Sequence, residues 1–231
     1  MGTLTFRGVS TSSLTNVYVS RMPDHRKAAM RYTEYYVKGR DGALHVDEGL
    51  SNFDLQAVLV LVKATAATRQ LVNAWADGTG KLITSDDTSH AYMASVKEAI
   101  VWNRVQANGG YYDTATITFN CQPYMVEASD SSTVFTASGS ITNLGTAPAY
   151  PTIKVEGSGD CTFTVNGTEV TIAGMTSGTP VYLDCENGYV YTASGAATMT
   201  GNFPVLGYNS NTVTLGNNVT KLTITPHWRW I

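Results

Sequence analysis

Apolar and polar residues alternate with period two along much of the chain, the pattern of half-buried β-strands. The alternation is clearest over Lys221–Ile231 (KLTITPHWRWI). There Leu222, Ile224, Pro226, Trp228 and Trp230 fall on one face, and Lys221, Thr223, Thr225, His227 and Arg229 on the other. Two tryptophans in three residues either fill a core or grip a ligand; the one-face pattern favours core packing of both Trp228 and Trp230, with Trp230 also able to brace one domain against another. Nearer the start, Thr3–Phe6 and Asn16–Met22 predict short strands separated by the Ser/Thr-rich Ser10–Thr15, and Arg31–Val37 (RYTEYYV) predicts a third. Asp41-Gly42, flanked by strand-like residues, predicts a tight turn inside a hairpin from Val37 to Val46. Asp54–Lys63 (DLQAVLVLVK) is a nearly continuous apolar run, expected as a buried central strand.

The period then changes. Thr65–Asp77 (TAATRQLVNAWAD) puts Ala67, Leu71, Ala74 and Trp75 on one helical face, with Thr65 as the cap and Gly78 and Gly80 as the stop. No second helical pattern is convincing. Strands resume at Lys81–Ser85, with a turn at Asp86-Asp87, one or two strands within Ala91–Arg104, a turn at Asn108-Gly109-Gly110, and a strand over Tyr111–Cys121. After Pro123 the chain turns small and polar (EASDSSTVFTASGS), which places a domain boundary near residue 129. Eight short strand candidates follow: Ser138–Asn143, Tyr150–Glu156, Cys161–Val165, Glu169–Ile172, Val181–Asp184, Tyr189–Thr192, Asn211–Leu215 and the closing strand. Asn166-Gly167 and Asn187-Gly188 read as hairpin turns between them. The expected fold is mainly β: a β-rich domain with one helix over residues 1–128, then an antiparallel β-sandwich over residues 129–231.

Composition narrows the function. Net charge is −3 and no basic run stands out, so stable nucleic-acid binding is not indicated. No apolar run is long enough to cross a bilayer, and MGTLTFRGVS has neither a secretory pattern nor the Ser/Thr at Phe6 that myristoylation requires. Cys121, Cys161 and Cys185 are odd in number and widely spaced, as expected of buried free thiols. The histidines His25, His45, His90 and His227 lack metal-ligand spacing, and no nucleophile elbow occurs. The DGTGK segment Asp77–Lys81 fails as a phosphate loop, because Asn73 stands where a glycine is needed and Leu82 follows the lysine. The carboxylate pairs Asp86-Asp87 and Asp184/Glu186 read as turn formers, and the sequons at Asn166 and Asn218 as turn chemistry. No catalytic residue, cofactor site or metal site is expected. The tyrosines at 111–112 and 189/191 leave a sugar-stacking surface open.

The ordered set VKGRDGALHVDEG (37–49), LVNAW (71–75), KLITSDD (81–87), ITFNCQPY (117–124), NFPVLGYNSNTVTLG (202–216) and ITPHWRWI (224–231) resembles the distal tail protein of long-tailed, non-contractile bacteriophages. His227 departs from the arginine expected in that ending. The resemblance implies a non-enzymatic hub at the virion tail tip, assembled in the host cytoplasm. Its N-terminal domain forms a homo-hexameric ring, single or doubled back to back, around the DNA exit channel. Its C-terminal domain is a galectin-like or carbohydrate-module-like sandwich. The implied partners are the tail tube protein, the tail-associated lysin or fibre protein, and receptor-binding baseplate proteins. Low basicity suits a channel that passes DNA without holding it. A ring needs a heterologous interface that closes. The hairpin tip (Lys38, Arg40, Asp41, Gly42) is the candidate arm to a neighbouring subunit, the plainer reading being an ordinary surface hairpin. A carbohydrate-binding module and a tail tube protein are the alternative functions.

Overall fold

The computed structural model describes residues 2–107 and 110–231, which divide into two compact units, Met1–Ala128 with Ile231 and Ser129–Trp230. The fold is mainly β, with one α-helix among the described residues. The expected turn at Asn108-Gly109 lies outside those residues.

The strands of the first unit are β1 (Leu4–Phe6), β2 (Val9–Ser10), β3 (Val17–Arg21), β4 (Met30–Tyr35), β5 (Leu44–Leu50), β6 (Phe53–Val62), β7 (Thr79–Thr84), β8 (Asp87–Val96), β9 (Asn103–Ala107) and β10 (Gly110–Glu127). Its main sheet runs β2-β1-β7-β8-β10-β6-β3, and β9 pairs with β10. β10 is the spine. Its first half lies between β9 and β6, and from Phe119 onward it pairs with β8. It runs six residues beyond the expected end at Cys121. It passes Pro123, which cannot donate to a ladder, through a register shift between Cys121 and Met125.

β6 is a central strand but not buried on both sides. Leu55, Ala57, Leu59 and Leu61 are buried, whereas Val58 and Val60 are half-buried and Val62 is exposed. The helix α1 (Ala66–Trp75) begins where its cap predicts: Thr65 and Thr68 exchange side-chain-to-backbone hydrogen bonds. Its buried face differs from the expected one. Val72 and Trp75 are buried and Leu71 is exposed. Trp75 sets this rotation. Its ring meets Phe6 and Phe119 edge-on, at 6.0 and 6.2 Å between centroids, and its indole N–H donates to the Val9 carbonyl at 2.8 Å. Phe6 and Phe119 also meet edge-on at 5.3 Å, so three rings join the helix, β1 and β10.

In the second unit the strands are β11 (Thr133–Phe135), β12 (Gly139–Thr142), β13 (Thr152–Gly157), β14 (Gly159–Val165), β15 (Thr168–Met175), β16 (Val181–Asp184), β17 (Tyr189–Thr192), β18 (Gly195–Ala196), β19 (Thr200–Gly201), β20 (Ser210–Leu215), β21 (Val219–Thr225) and β22 (Arg229–Trp230). Two antiparallel sheets, β11-β21-β13-β16-β17-β18 and β12-β20-β14-β15-β19, share one core. Asn166-Gly167 forms the expected two-residue turn, with φ of +50° and +78° and Val165 opposite Thr168. Asn187-Gly188 does not. It closes a four-residue loop in which the Asp184 carboxylate accepts from the backbone N–H of Glu186 and Asn187.

The closing segment keeps its alternation through a break. Pro226 and His227 end β21, with His227 at φ +52°. Trp228, 2% exposed, lies in the core, and Trp230 is half-buried against it. Arg229 donates from its guanidinium to the Pro148 carbonyl and lies 4.5 Å over the Tyr150 ring. On β20 in the other sheet, fully buried Asn211 donates to the carbonyls of Ile141, Gly207 and Asn209 and accepts from Asn166 at 2.7 Å. All three cysteines are free and buried, and burial pushes the Cys121 and Cys185 thiols up to about 12.

Trp228→Ala is expected to destabilise the second unit by about 3–5 kcal/mol, since it empties a buried aromatic site. Denaturant unfolding followed by near-ultraviolet circular dichroism checks this; an unchanged midpoint would remove Trp228 from the core.

Candidate functional site

β4 and β5 pair only with each other, so they stand as a two-stranded ribbon. The register sets Tyr35 opposite Leu44, Thr33 opposite Val46, Glu34 opposite His45 and Tyr32 opposite Asp47. One face is thus Tyr35, Leu44, Thr33 and Val46. On the other, the His45 ring stacks on Tyr32 at 4.6 Å and its Nε2 lies 3.4 Å from Glu34. Every residue of both strands is exposed except Thr33 and Leu50, which are half-buried. Val46 is 50% exposed, Tyr35 55% and, just beyond the strand, Tyr36 78%. A lone hairpin is marginal in water, and burying a Leu or Val side chain fully contributes about 1.5–3 kcal/mol. Exposed apolar residues thus share one face of the ribbon.

The ribbon's root is fastened, unlike its body. The Ala29 carbonyl accepts from the Ser51 N–H at 2.8 Å and from its hydroxyl at 3.1 Å, and Ala28 is buried. His25 Nε2 lies 2.6 Å from the Asp86 carboxylate, and its Nδ1 lies 3.4 Å from the Tyr92 hydroxyl. Hydrogen bonds from Thr84 and His25 bring the Asp86 carboxyl down to about 2. Near the root β5 carries an extra residue, and Gly49 takes φ +84° there, a bulge geometry that favours glycine.

The tip differs from the expected turn at Asp41-Gly42. The strands stop at Tyr35 and Leu44, and the Arg40 N–H donates to the Val37 carbonyl at 3.1 Å. The first turn is therefore centred on Lys38-Gly39, with Gly39 at φ +81° and Gly42 at φ +74° in the longer loop. Two left-handed glycines allow an eight-residue connection in place of a two-residue one. Lys38, Arg40, Asp41 and Gly42 are all exposed there, and the three charges form no ion pair among the described residues.

A second constellation joins the helix to the sheet. The Asp113 carboxylate, its side chain 2% exposed, accepts from Arg69 Nε at 2.6 Å and Arg104 Nε at 3.1 Å. Burial pushes this carboxyl up, but the hydrogen bonds and charges of the two guanidinium groups outweigh it and hold the group below the usual range. Sequence reading missed this clamp, because its three residues lie on three elements. Only the polar Asp113 inside an alternating strand hinted at it.

The other candidate chemistry disperses. Asp87 holds His90 at 2.8 Å, and Asp184 is taken up by its own loop. Among the described residues no cluster of His, Cys, Asp or Glu fits a metal ion. Tyr182 and Tyr191 stack at 5.2 Å with planes 14° apart, so each covers one face of the other, and Tyr189 tilts against Tyr191. Tyr111 lies in the first unit instead, with Arg104 5.8 Å over its ring.

No known family profile and no curated protein matches the sequence. Solved structures do match. The fold is that of phage tail hub and baseplate proteins. The whole chain superposes on the whole Dit protein of phage SPP1, described as a paradigm of the hub adsorption apparatus in phages infecting Gram-positive bacteria. The TM-score is 0.77, the identity 15%, and both chains are covered completely. The baseplate of phage P2, in its calcium-activated conformation, matches at a TM-score of 0.50 and 7% identity over 97% of both chains.

Asp113→Asn is expected to cost about 1.5–3 kcal/mol, the range for hydrogen bonds to charged groups. The folded carboxyl titrates below its unfolded value of about 3.9, so its contribution is present above that pH and lost as pH falls through the folded value. The wild type should therefore lose stability faster than the variant below about pH 4. Parallel slopes of melting temperature against pH would contradict this.

Proposed function

We propose that this protein is the distal tail hub of a long-tailed, non-contractile bacteriophage. In this reading its first unit forms a hexameric ring around the DNA exit channel, and its sandwich is displayed from that ring. The ring joins the tail tube protein to the tail-associated lysin or fibre and to receptor-binding baseplate proteins. The protein works at the virion tail tip after assembly in the host cytoplasm, and it acts by holding other proteins rather than by catalysis.

The observation that carries the reading is the end-to-end superposition on SPP1 Dit, spanning both units. The ribbon supports it independently. A ring requires each copy to offer a surface to the next, and β4–β5 is an apolar-faced, rooted arm that pairs with no other strand among the described residues. The tip residues Lys38, Arg40, Asp41 and Gly42 are the first contacts such an arm would make. Trp228 anchors the sandwich core, and we assign Trp230 to bracing that sandwich within the assembly.

Negative-stain microscopy and light scattering of the purified protein test the reading. Discrete six-fold rings are expected. Long stacked tubes would identify a tube protein instead, and a monomer at every concentration would overturn the hub.

Val46→Glu isolates the arm. The residue is exposed, so the melting temperature of the separated protomer should stay within a degree or two. A charge on the apolar face should nevertheless abolish the ring. Shortening the loop at Arg40–Gly42 should likewise leave a folded but smaller species. Rings unaffected by both changes would make the ribbon an ordinary surface hairpin.

A further inference from the structure

The Arg69–Asp113–Arg104 clamp holds more positive charge than it uses. Each arginine spends its Nε on Asp113, and no other hydrogen bond or ion pair engages either guanidinium among the described residues. The remaining N–H donors of two rigid, planar forks are thus held beside one another. Both arginines line a notch of about 500 Å³, together with Trp102 and Asp113. Trp102 is fixed as its wall, since its indole N–H donates to Asn73 on α1 at 3.1 Å. Arg104, with half its side chain exposed, also lies 5.8 Å over the Tyr111 ring.

We propose that this notch is a docking site for a single carboxylate of an acidic peptide, an Asp or Glu side chain presented by another protein with apolar residues beside it. Asp113 shows that these guanidinium groups donate to carboxylate oxygens in hydrogen-bonding geometry. Two guanidinium groups against one buried carboxylate leave one positive charge. That matches one further carboxylate better than a phosphate monoester, which carries about −1.5 to −2 at neutral pH. The indole wall suits the apolar flank of a peptide and gives a free inorganic anion nothing to pack against. The site does not depend on the ring, and it remains whether or not the protein is a tail hub.

Fluorescence anisotropy tests it, using the full chain and a fluorescein-labelled peptide with one Glu between leucines. The same peptide with Gln should bind at least about tenfold more weakly, in keeping with charge-assisted hydrogen bonds. Arg104→Gln should weaken the Glu peptide by a similar factor. Arg104→Lys keeps the charge and a partner for Asp113 but lacks the fork, and it should also weaken binding while the protein stays folded. Arg21→Gln removes one charge from an exposed ion pair elsewhere and should change nothing. Equal binding of the Glu and Gln peptides, or an equal loss with Arg21→Gln, would overturn the proposal. So would inorganic phosphate that displaces the peptide at concentrations where acetate of equal ionic strength does not.

Discussion

Apolar surface left in water constrains this chain more than any interaction inside it. Both cores are closed by ordinary means, alternating strands facing inward under a helix or a second sheet. The β4–β5 ribbon is not closed. It has the hydrogen bonds of a hairpin and one apolar face of Tyr35, Leu44 and Val46, all exposed. A two-stranded element gains too little from its own pairing to hold a fixed geometry against chain entropy. Its fastened root and its bulge fix where the ribbon leaves the unit, and its body stays exposed among the described residues.

The first unit can support such an arm because its frame is braced along one strand. β10 meets β9, β6 and β8 in turn, and the three-ring contact of Phe6, Trp75 and Phe119 ties it to the helix and to β1. The buried Asp113 adds a polar tie between the same strand, the helix and β9. Aromatic packing tolerates small rotations, whereas a carboxylate between two guanidinium forks does not. The combination fixes the rotation of a ten-residue helix that would be marginal alone.

Much of this was legible in the chain. The Thr65 cap, the Asn166-Gly167 turn and the alternation at Leu222, Ile224 and Trp228 are local signals, and local geometry obeyed them. The mainly β character and the single helix followed from the same periodicities. What escaped depended on contacts between distant residues. Leu71 and Val72 are both apolar, and the long-range contacts that fix the helix rotation, the seat of Trp75 among them, decide which one is buried. β11 is three residues in a polar stretch, and it exists because β21 offers Leu222–Ile224 as a partner. The ribbon's turn moved to Lys38-Gly39 because cross-strand pairing of Tyr35 with Leu44 outweighed the short-range preference of Asp-Gly. The Arg69–Asp113–Arg104 clamp spans 44 positions and has no motif at all.

The cysteines carry a practical consequence. A thiol reacts as its thiolate, and burial keeps Cys121 and Cys185 protonated at any pH used for conjugation; Cys161 is raised as well and donates to the Asn218 carbonyl. In the folded chain all three thiols are buried and react slowly with a maleimide. A thiol introduced at exposed Lys38 would react far faster, ready to carry a fluorophore or a cross-linker at the tip of the ribbon.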